Sequence, residues 1–147
     1  HANGAEFIQD VAKLTGYLTD GTSVKVAVRK MKITSSYPYK KAFMWGGDEM
    51  AMPKTVIVAI EIQIGKEKTF VPLSAYSDLG SPRQVFFEKS QVGFQITIRG
   101  GDAAGSYKAI LIFENGEIRR RKVTHGEFPD EVWEETVYSF ISKTDER

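Results

Sequence analysis

Cysteine is absent from this 147-residue sequence, and histidine occurs only at His1 and His125. The lack of cysteine excludes disulfides, cysteine–zinc sites and thiol catalysis, and two histidines do not supply the three convergent ligands of a catalytic zinc site. The longest apolar run, Thr55 to Ile60, is far too short to span a bilayer. Twenty basic and nineteen acidic residues leave a net charge of +1, which creates no long-range field to attract nucleic acid. We therefore expect no metal or other cofactor, no nucleic-acid partner and no transmembrane segment.

Strict alternation of apolar residues with others occurs in four stretches. A period of two places successive side chains on opposite faces, so each stretch predicts a strand with one buried face. The length fits a single domain over residues 1–147. We expect an all-β fold, mainly an antiparallel β-sandwich of about seven to nine strands, with a closed β-barrel of lipocalin-like size as the alternative. The four stretches are Val24-Val26-Val28, Val56-Val58-Ile60-Ile62-Ile64, Val92-Phe94-Ile96-Ile98 and Tyr107-Ala109-Leu111-Phe113.

The N-terminal region departs from this alternation. Residues 1–5 are small and polar, as in the remnant of a cleaved signal peptide or of a tag, and we expect them to be disordered. Because a signal-peptide remnant is one of these two origins, we slightly favour an exported protein, either periplasmic or secreted. Phe7, Val11 and Leu14 then recur at helical spacing, which predicts a short N-terminal helix over residues 6–14 that ends at Gly16.

Two turn signals and one change of phase predict local features of the sheet. Asp20-Gly21 and Asn115-Gly116 each separate two predicted strands and favour a two-residue type I′ hairpin turn. The alternation changes phase at Arg29-Lys30, which predicts a β-bulge there.

The Asn115-Gly116 turn also predicts the register of its hairpin. Phe113 would face Ile118 and Leu111 would face Arg120, and directly opposed residues share a face. Two isoleucines would then lie beside two arginines on the other face, where they need cover from another element or from a second copy of the chain. The chain is accordingly expected to be a monomer or a homodimer. The interface candidates are Ile110, Ile112, Arg119 and Arg121.

Residues 130–141 carry two conflicting patterns. Val132, Thr136 and Phe140 have helical spacing, whereas residues 136–141 are rich in strand formers. We favour a strand, because the sheet predicted elsewhere needs a closing partner.

The longest irregular segment, residues 34–54, contains the candidate binding surface. Loops beyond about 12–15 residues in a compact domain are usually functional or disordered, and this one is too rich in aromatic residues and methionines for a disordered linker. Its rings could stack on sugars or anchor a protein interface, or they could fold back and plug one end of the sheet. The binding candidates, within residues 35–53, are Tyr37, Tyr39, Phe43 and Trp45.

Other polar motifs favour ordinary structural roles. Gly-Gly-Asp occurs at residues 46–48 and 100–102, and it favours turns over a calcium site because no Asp-rich ligand spacing accompanies it. The pattern does not decide between duplication and chance. Residues 119–122 are four adjacent cations that a strand would divide between two faces, near an acidic stretch that could neutralise them. His125 has no sequence neighbour that would make it a catalytic base.

These observations favour a non-enzymatic binding or accessory domain that recognises a protein or glycan through the 35–53 loop. No catalytic residue is assigned. Glu61 is the one acid inside a strongly apolar strand, but its phase places it outward. The alternative function is a small-molecule carrier, or a carboxylate-based enzyme, with its cavity inside a barrel.

Overall fold

Ten strands and one short 3-10 turn, Leu73–Ala75, make up the regular structure in the computed structural model, which describes residues 3–41, 45–46, 51–101 and 105–139. None of these residues forms a helix with the length and apolar character needed to cross a bilayer. The strands are β1 (Asn3–Glu6), β2 (Val11–Tyr17), β3 (Ser23–Lys32), β4 (Thr55–Ile64), β5 (Glu67–Thr69), β6 (Pro82–Lys89), β7 (Gly93–Gly100), β8 (Tyr107–Glu114), β9 (Glu117–His125) and β10 (Val132–Val137).

The strands form two antiparallel sheets. One has six strands in the order β1-β6-β7-β8-β9-β10, and the other has four in the order β2-β3-β4-β5. The predicted β-sandwich is therefore confirmed. The sheets remain separate and each keeps two edge strands, so the closed-barrel alternative is wrong.

The predicted N-terminal helix is also wrong, because residues 11–17 form strand β2. Burial there has a period of two: Ala12, Leu14 and Gly16 are buried, and the residues between them are exposed. β2 pairs with β3 along its whole length, which satisfies its backbone, whereas an isolated helix of nine residues is marginal in water. Residues 3–5, expected to be disordered, belong to β1 and pair with β6.

The β2–β3 hairpin forms around Asp20-Gly21, but its turn differs from the predicted type. The Leu18 N–H donates to the Thr22 carbonyl at 2.9 Å and the Gly21 N–H to the Leu18 carbonyl at 3.0 Å, which leaves a three-residue loop. Only Gly21 has a positive φ, of 89°, whereas type I′ needs two such residues. The backbone N–H of Thr22 donates to Asp20 Oδ1 and holds the pKa of that carboxyl below its usual value.

The β8–β9 hairpin has the predicted turn but a shifted register. Asn115 and Gly116 have φ of 52° and 80°, as type I′ requires, and Phe113 faces Ile118 as predicted. A bulge then makes Arg119 an extra residue, so that Leu111 faces Arg121 instead of Arg120. Since a slip of one residue moves side chains to the opposite face, the bulge turns Arg121 into the interior.

The bulge predicted at Arg29-Lys30 is confirmed as a register shift between β3 and β4, but the change of phase predicted along β3 is wrong, because Met31 is 44% exposed. Arg29 faces Ala59 and Lys30 faces Ile57, so the extra residue is Val58 on β4. Residues 132–137 are a strand, as favoured from the sequence, and β10 pairs with β9 at the edge of the six-stranded sheet.

The core lies between the sheets and includes a stack of three phenylalanines. The ring centroids of Phe87 and Phe94 are 5.4 Å apart, and those of Phe94 and Phe113 are 4.7 Å apart. The six-stranded sheet is wider than its partner, and the segment of residues 70–81 contacts its strand β9 through Ser74 and Asp78, which accept hydrogen bonds from Arg121. Tyr76 and Leu79 of this segment are buried, and the Tyr107 hydroxyl donates to the Gly80 carbonyl at 2.7 Å. Burial raises the pKa of the Tyr76 hydroxyl.

Candidate functional site

The aromatic residues predicted to bind a partner form a stack of graded exposure. Trp45 is buried at 7% exposure, Tyr37 is half-buried, and Tyr39 is 54% exposed. The Tyr37 ring lies nearly parallel to Trp45 at 24° and edge-on to Tyr39 at 69°, with both centroid distances at 5.9 Å. Phe43 lies outside the described residues. We call Tyr37, Tyr39 and Trp45 the aromatic cluster.

The structure supports the packing interpretation for Trp45, whereas the binding interpretation stays a prediction. Trp45 folds back onto the domain, as the packing interpretation predicts, and Tyr39 remains accessible, as the binding interpretation requires. The buried indole N–H of Trp45 has no acceptor among the described residues.

Backbone hydrogen bonds hold the segment at its base and in its middle. The Ile33 N–H donates to the Lys54 carbonyl at 2.8 Å, which closes its base, and the Gly46 N–H donates to the Asp78 carbonyl at 2.9 Å. A side chain at Gly46 would collide with the carboxylate of Asp78 and the guanidinium of Arg121. Glycine therefore lets the chain approach Asp78 and Arg121 without displacing either side chain, and the hydrogen bond of Gly46 fixes the neighbouring Trp45.

Arg121, beneath Gly46, is the largest fully buried side chain, with 1% exposure. Its guanidinium donates to both oxygens of Asp78 at 2.7 and 2.9 Å, to the Ser74 carbonyl at 2.9 Å and to Glu134 at 3.1 Å. Burial alone would lower the pKa of Arg121, but the hydrogen bonds and charges of Asp78 and Glu134 raise it above its ordinary value. Arg121 therefore joins β9, β10 and the 70–81 segment in one charged network.

The sequence did not indicate this network. Asp78 and Glu134 lie 43 and 13 residues from Arg121, and no spacing pattern connects them. The assignment of Arg121 to an outer interface is wrong, because the bulge at Arg119 reverses its face.

Of the other interface candidates, the two isoleucines lie on the outer face of the six-stranded sheet, and Arg119 lies beside the β8–β9 turn. Ile110 and Ile112 are half-buried, and by register Ile112 lies between Gln95 and Arg120. Arg119 pairs with Glu117 at 2.7 Å instead of joining the isoleucines. The two isoleucines therefore share the outer face of the sheet, whereas Arg121 lies on the inner face.

Three of the four adjacent cations are paired with acids: Arg119 pairs with Glu117, and Arg120 and Arg121 pair with residues of the acidic stretch that follows them in the sequence. Arg120 meets Glu135 at 3.2 Å and Arg121 meets Glu134, in both cases across the β9–β10 ladder. The predicted outward orientation of Glu61 is confirmed, and its carboxylate accepts a hydrogen bond from Arg29 at 2.9 Å.

His125 is half-buried at the C-terminal end of β9, and one of its ring nitrogens, Nδ1, accepts hydrogen bonds from the backbone. Nδ1 accepts hydrogen bonds from the N–H groups of Glu127 at 3.0 Å and Phe128 at 3.3 Å. Its ring contacts Phe128 and Trp133, with centroids 4.9 and 5.5 Å away. Across the described ranges, no three acidic or histidine side chains converge as metal ligands; Asp48, Glu49 and Asp102 lie outside those ranges.

No known family model, curated protein or solved structure matches this chain.

Proposed function

We propose that this chain is a non-enzymatic binding domain that recognises a glycan through the aromatic cluster, with Tyr39 as the contact residue. The observation that carries the proposal is the stack itself: an exposed ring rests on a half-buried ring, which rests on a buried one. A ring already held in place loses little conformational freedom when a ligand arrives, which favours binding.

The surroundings of Tyr39 favour a glycan over a protein partner. Ser35, Ser36, Lys40 and Lys41 are all exposed beside it in the chain. Sugars combine an apolar face, which packs on an aromatic ring, with hydroxyl groups that need polar partners. Protein hot spots instead lie in well-packed, desolvated pockets at the centre of an interface. A single accessible ring among hydroxyl and ammonium groups fits the first description better.

We infer that the domain is non-enzymatic because its candidate acids and bases already form hydrogen bonds or ion pairs within the molecule. Asp78 and Glu134 both accept hydrogen bonds from the Arg121 guanidinium. Glu61 is paired with Arg29, and His125 Nδ1 already accepts two backbone N–H groups. A general base needs a free lone pair within hydrogen-bond reach of the substrate.

The test is binding of neutral oligosaccharides to the wild-type chain and to Tyr39→Ala. The probes are fragments of β-glucan, xylan, galactan, mannan and chitin, measured by isothermal titration calorimetry. We expect at least one probe to bind, and Tyr39→Ala to weaken that binding by roughly three- to tenfold, the range that one aromatic contact contributes.

Tyr17→Ala is the matched control, because Tyr17 is also exposed, at 58%. It pairs with Ser23 at the start of β3, whereas the aromatic cluster follows the other end of this ten-residue strand, which is about 30 Å long at the rise of an extended chain. Equal losses in Tyr17→Ala and Tyr39→Ala would contradict the assignment of the site. Failure of all five probes to bind would contradict the glycan as ligand.

A further inference from the structure

The outer face of the four-stranded sheet carries a groove of about 510 Å³ that crosses all four strands. It lies over two neighbouring rows of paired residues. Lys13, Ala27 and Glu61 form one row, and Thr15, Lys25, Gln63 and Lys68 form the next. Ala27 stands in the middle of its row, and its small side chain leaves room between the longer side chains around it. We call these seven residues the lysine groove.

Positive charge is concentrated in the lysine groove. Its three lysines come from β2, β3 and β5, and none of them makes an ion pair with a described residue. The groove's one acid, Glu61, is already paired with Arg29 at 2.9 Å. This face therefore presents three uncompensated ammonium groups on a chain whose net charge is only +1.

Protection of sheet edges does not account for all three lysines. Lysine on an edge strand discourages pairing with other chains, and this explains Lys13 on β2 and Lys68 on β5. Lys25 lies on β3, an interior strand, within a row that also contains Lys68. Lys25 is also the diagonal neighbour of Lys13 across the β2–β3 ladder, about 7–8 Å away on the same sheet face, so these two like charges repel each other unless an anion neutralises them.

The shape and chemistry of the groove indicate the class of anion. Three strand spacings give it a length of about 14 Å, so it fits an extended chain better than a small ion. No aromatic side chain lines it, so it offers no ring on which a base or a neutral sugar could stack. Its only apolar outward side chain is Ala27, which is too small to anchor a peptide. Thr15 and Gln63 can exchange hydrogen bonds with hydroxyl groups.

We propose that the lysine groove binds an acidic polysaccharide, with its carboxylates paired to Lys13, Lys25 and Lys68. This site is separate from the aromatic cluster and goes beyond the function proposed above. The two sites take different ligands: the lysine groove holds an acidic chain across the four-stranded sheet, and Tyr39 contacts a separate, neutral sugar at the loop.

The experiment compares the binding of polygalacturonate, its fully methyl-esterified form and poly-L-glutamate by biolayer interferometry. We expect polygalacturonate to bind and the neutral ester not to bind. Lys25→Gln should weaken binding by about two- to fivefold, as expected for one exposed ion pair, and the triple variant Lys13→Gln/Lys25→Gln/Lys68→Gln by more than about tenfold. Raising the salt concentration should weaken binding as well, because exposed charges are screened.

Two further variants separate a specific groove from general charge attraction. Lys108→Gln removes the same charge from the outer face of the six-stranded sheet and should leave binding unchanged. Ala27→Ile keeps every charge but fills the groove, and isoleucine suits a strand, so this variant should fold and lose binding. Circular dichroism of each variant verifies the fold.

The proposal is overturned if the methyl ester binds as well as the acid, if the triple variant binds normally, or if Ala27→Ile has no effect. Tighter binding of poly-L-glutamate would assign the groove to an acidic peptide and overturn the polysaccharide. Tyr39→Ala should leave polygalacturonate binding intact, so the failure of either proposal is visible independently of the other.

Discussion

At the scale of single residues, Arg121 links more parts of the molecule than any other side chain described. It is buried on the inner face of β9, and its guanidinium is bound by Asp78, Glu134 and the Ser74 carbonyl. Such a network is costly to break from one side, because the remaining partners keep their charge and lose their hydrogen bonds.

We expect Arg121→Ala to lower the free energy of unfolding by roughly 3 kcal/mol, near the lower end for a broken buried ion pair, because both carboxylates are partly exposed and can regain water. Urea denaturation measures this change. Arg120→Ala is the control: its side chain is 50% exposed and paired with Glu135, so the loss should stay below about 1 kcal/mol. Similar losses in the two variants would show that burial of Arg121 does not matter.

Gly16 illustrates how a residue type can mislead when it is considered alone. In the sequence it follows a helical spacing and suggests the end of a helix. In the structure it lies on the inner face of β2, near the end of the strand, where an added Cβ would collide with the ring of Phe87. Gly16 allows β2 to approach the aromatic stack of the core closely. The need for a glycine therefore depends on Phe87 of β6, which lies 71 positions later in the sequence.

At the scale of elements, the β8–β9 hairpin determines which arginine side chain is buried in the interior. Its turn sets Phe113 opposite Ile118, and the bulge at Arg119 then brings Arg121 inward. Without that extra residue, Arg120 would face Leu111 and enter the core in its place.

The turn of this hairpin gives a prediction for the element. Asn115 has a φ of 52°, a region that asparagine tolerates and alanine does not. Asn115→Ala should therefore lower the free energy of unfolding by about 1 kcal/mol, as measured by thermal and urea unfolding. Asn115→Gly, which adopts the same φ without strain, should retain wild-type stability within about 0.5 kcal/mol. A stable alanine variant would mean that the turn can change type without loss.

At the scale of the whole molecule, charge and apolar surface are distributed unevenly over the two outer faces. The four-stranded sheet presents the lysine groove, whereas the six-stranded sheet presents Ile110 and Ile112 among mixed charges. The two isoleucines are half-buried beside the long side chains of Lys122 and Arg120, whose aliphatic stems can cover apolar surface.

We therefore expect the chain to sediment as a single 16.5 kDa species over a tenfold or wider concentration range in analytical ultracentrifugation. Ile112→Lys should leave the sedimentation coefficient unchanged, because no partner is displaced. A dimer in the wild type that dissociates in Ile112→Lys would contradict this expectation. It would identify the isoleucine face as a subunit interface, the other outcome that the sequence pattern allows.

The sequence alone determined the architecture, because alternation of apolar residues is a local property with a fixed geometric meaning in a strand. It determined the Asn115-Gly116 turn in the same way, since that turn depends on adjacent residues. It located the bulge at Arg29-Lys30, but the extra residue, Val58, lies on the partner strand. It failed at residues 6–14, where a short coincidence of spacing resembled a helix and pairing with β3 decided otherwise.

The tertiary structure alone decided the candidate sites. The position of Arg121 depends on one extra residue in a ladder, and its partners come from segments that no sequence pattern joins. The burial of Trp45 depends on the approach of Gly46 to Asp78, and the lysine groove depends on the register of four strands. The spacing of residues along one strand indicates which of them share a face of the sheet. Contacts between strands depend on the register of pairing, and local bulges change that register.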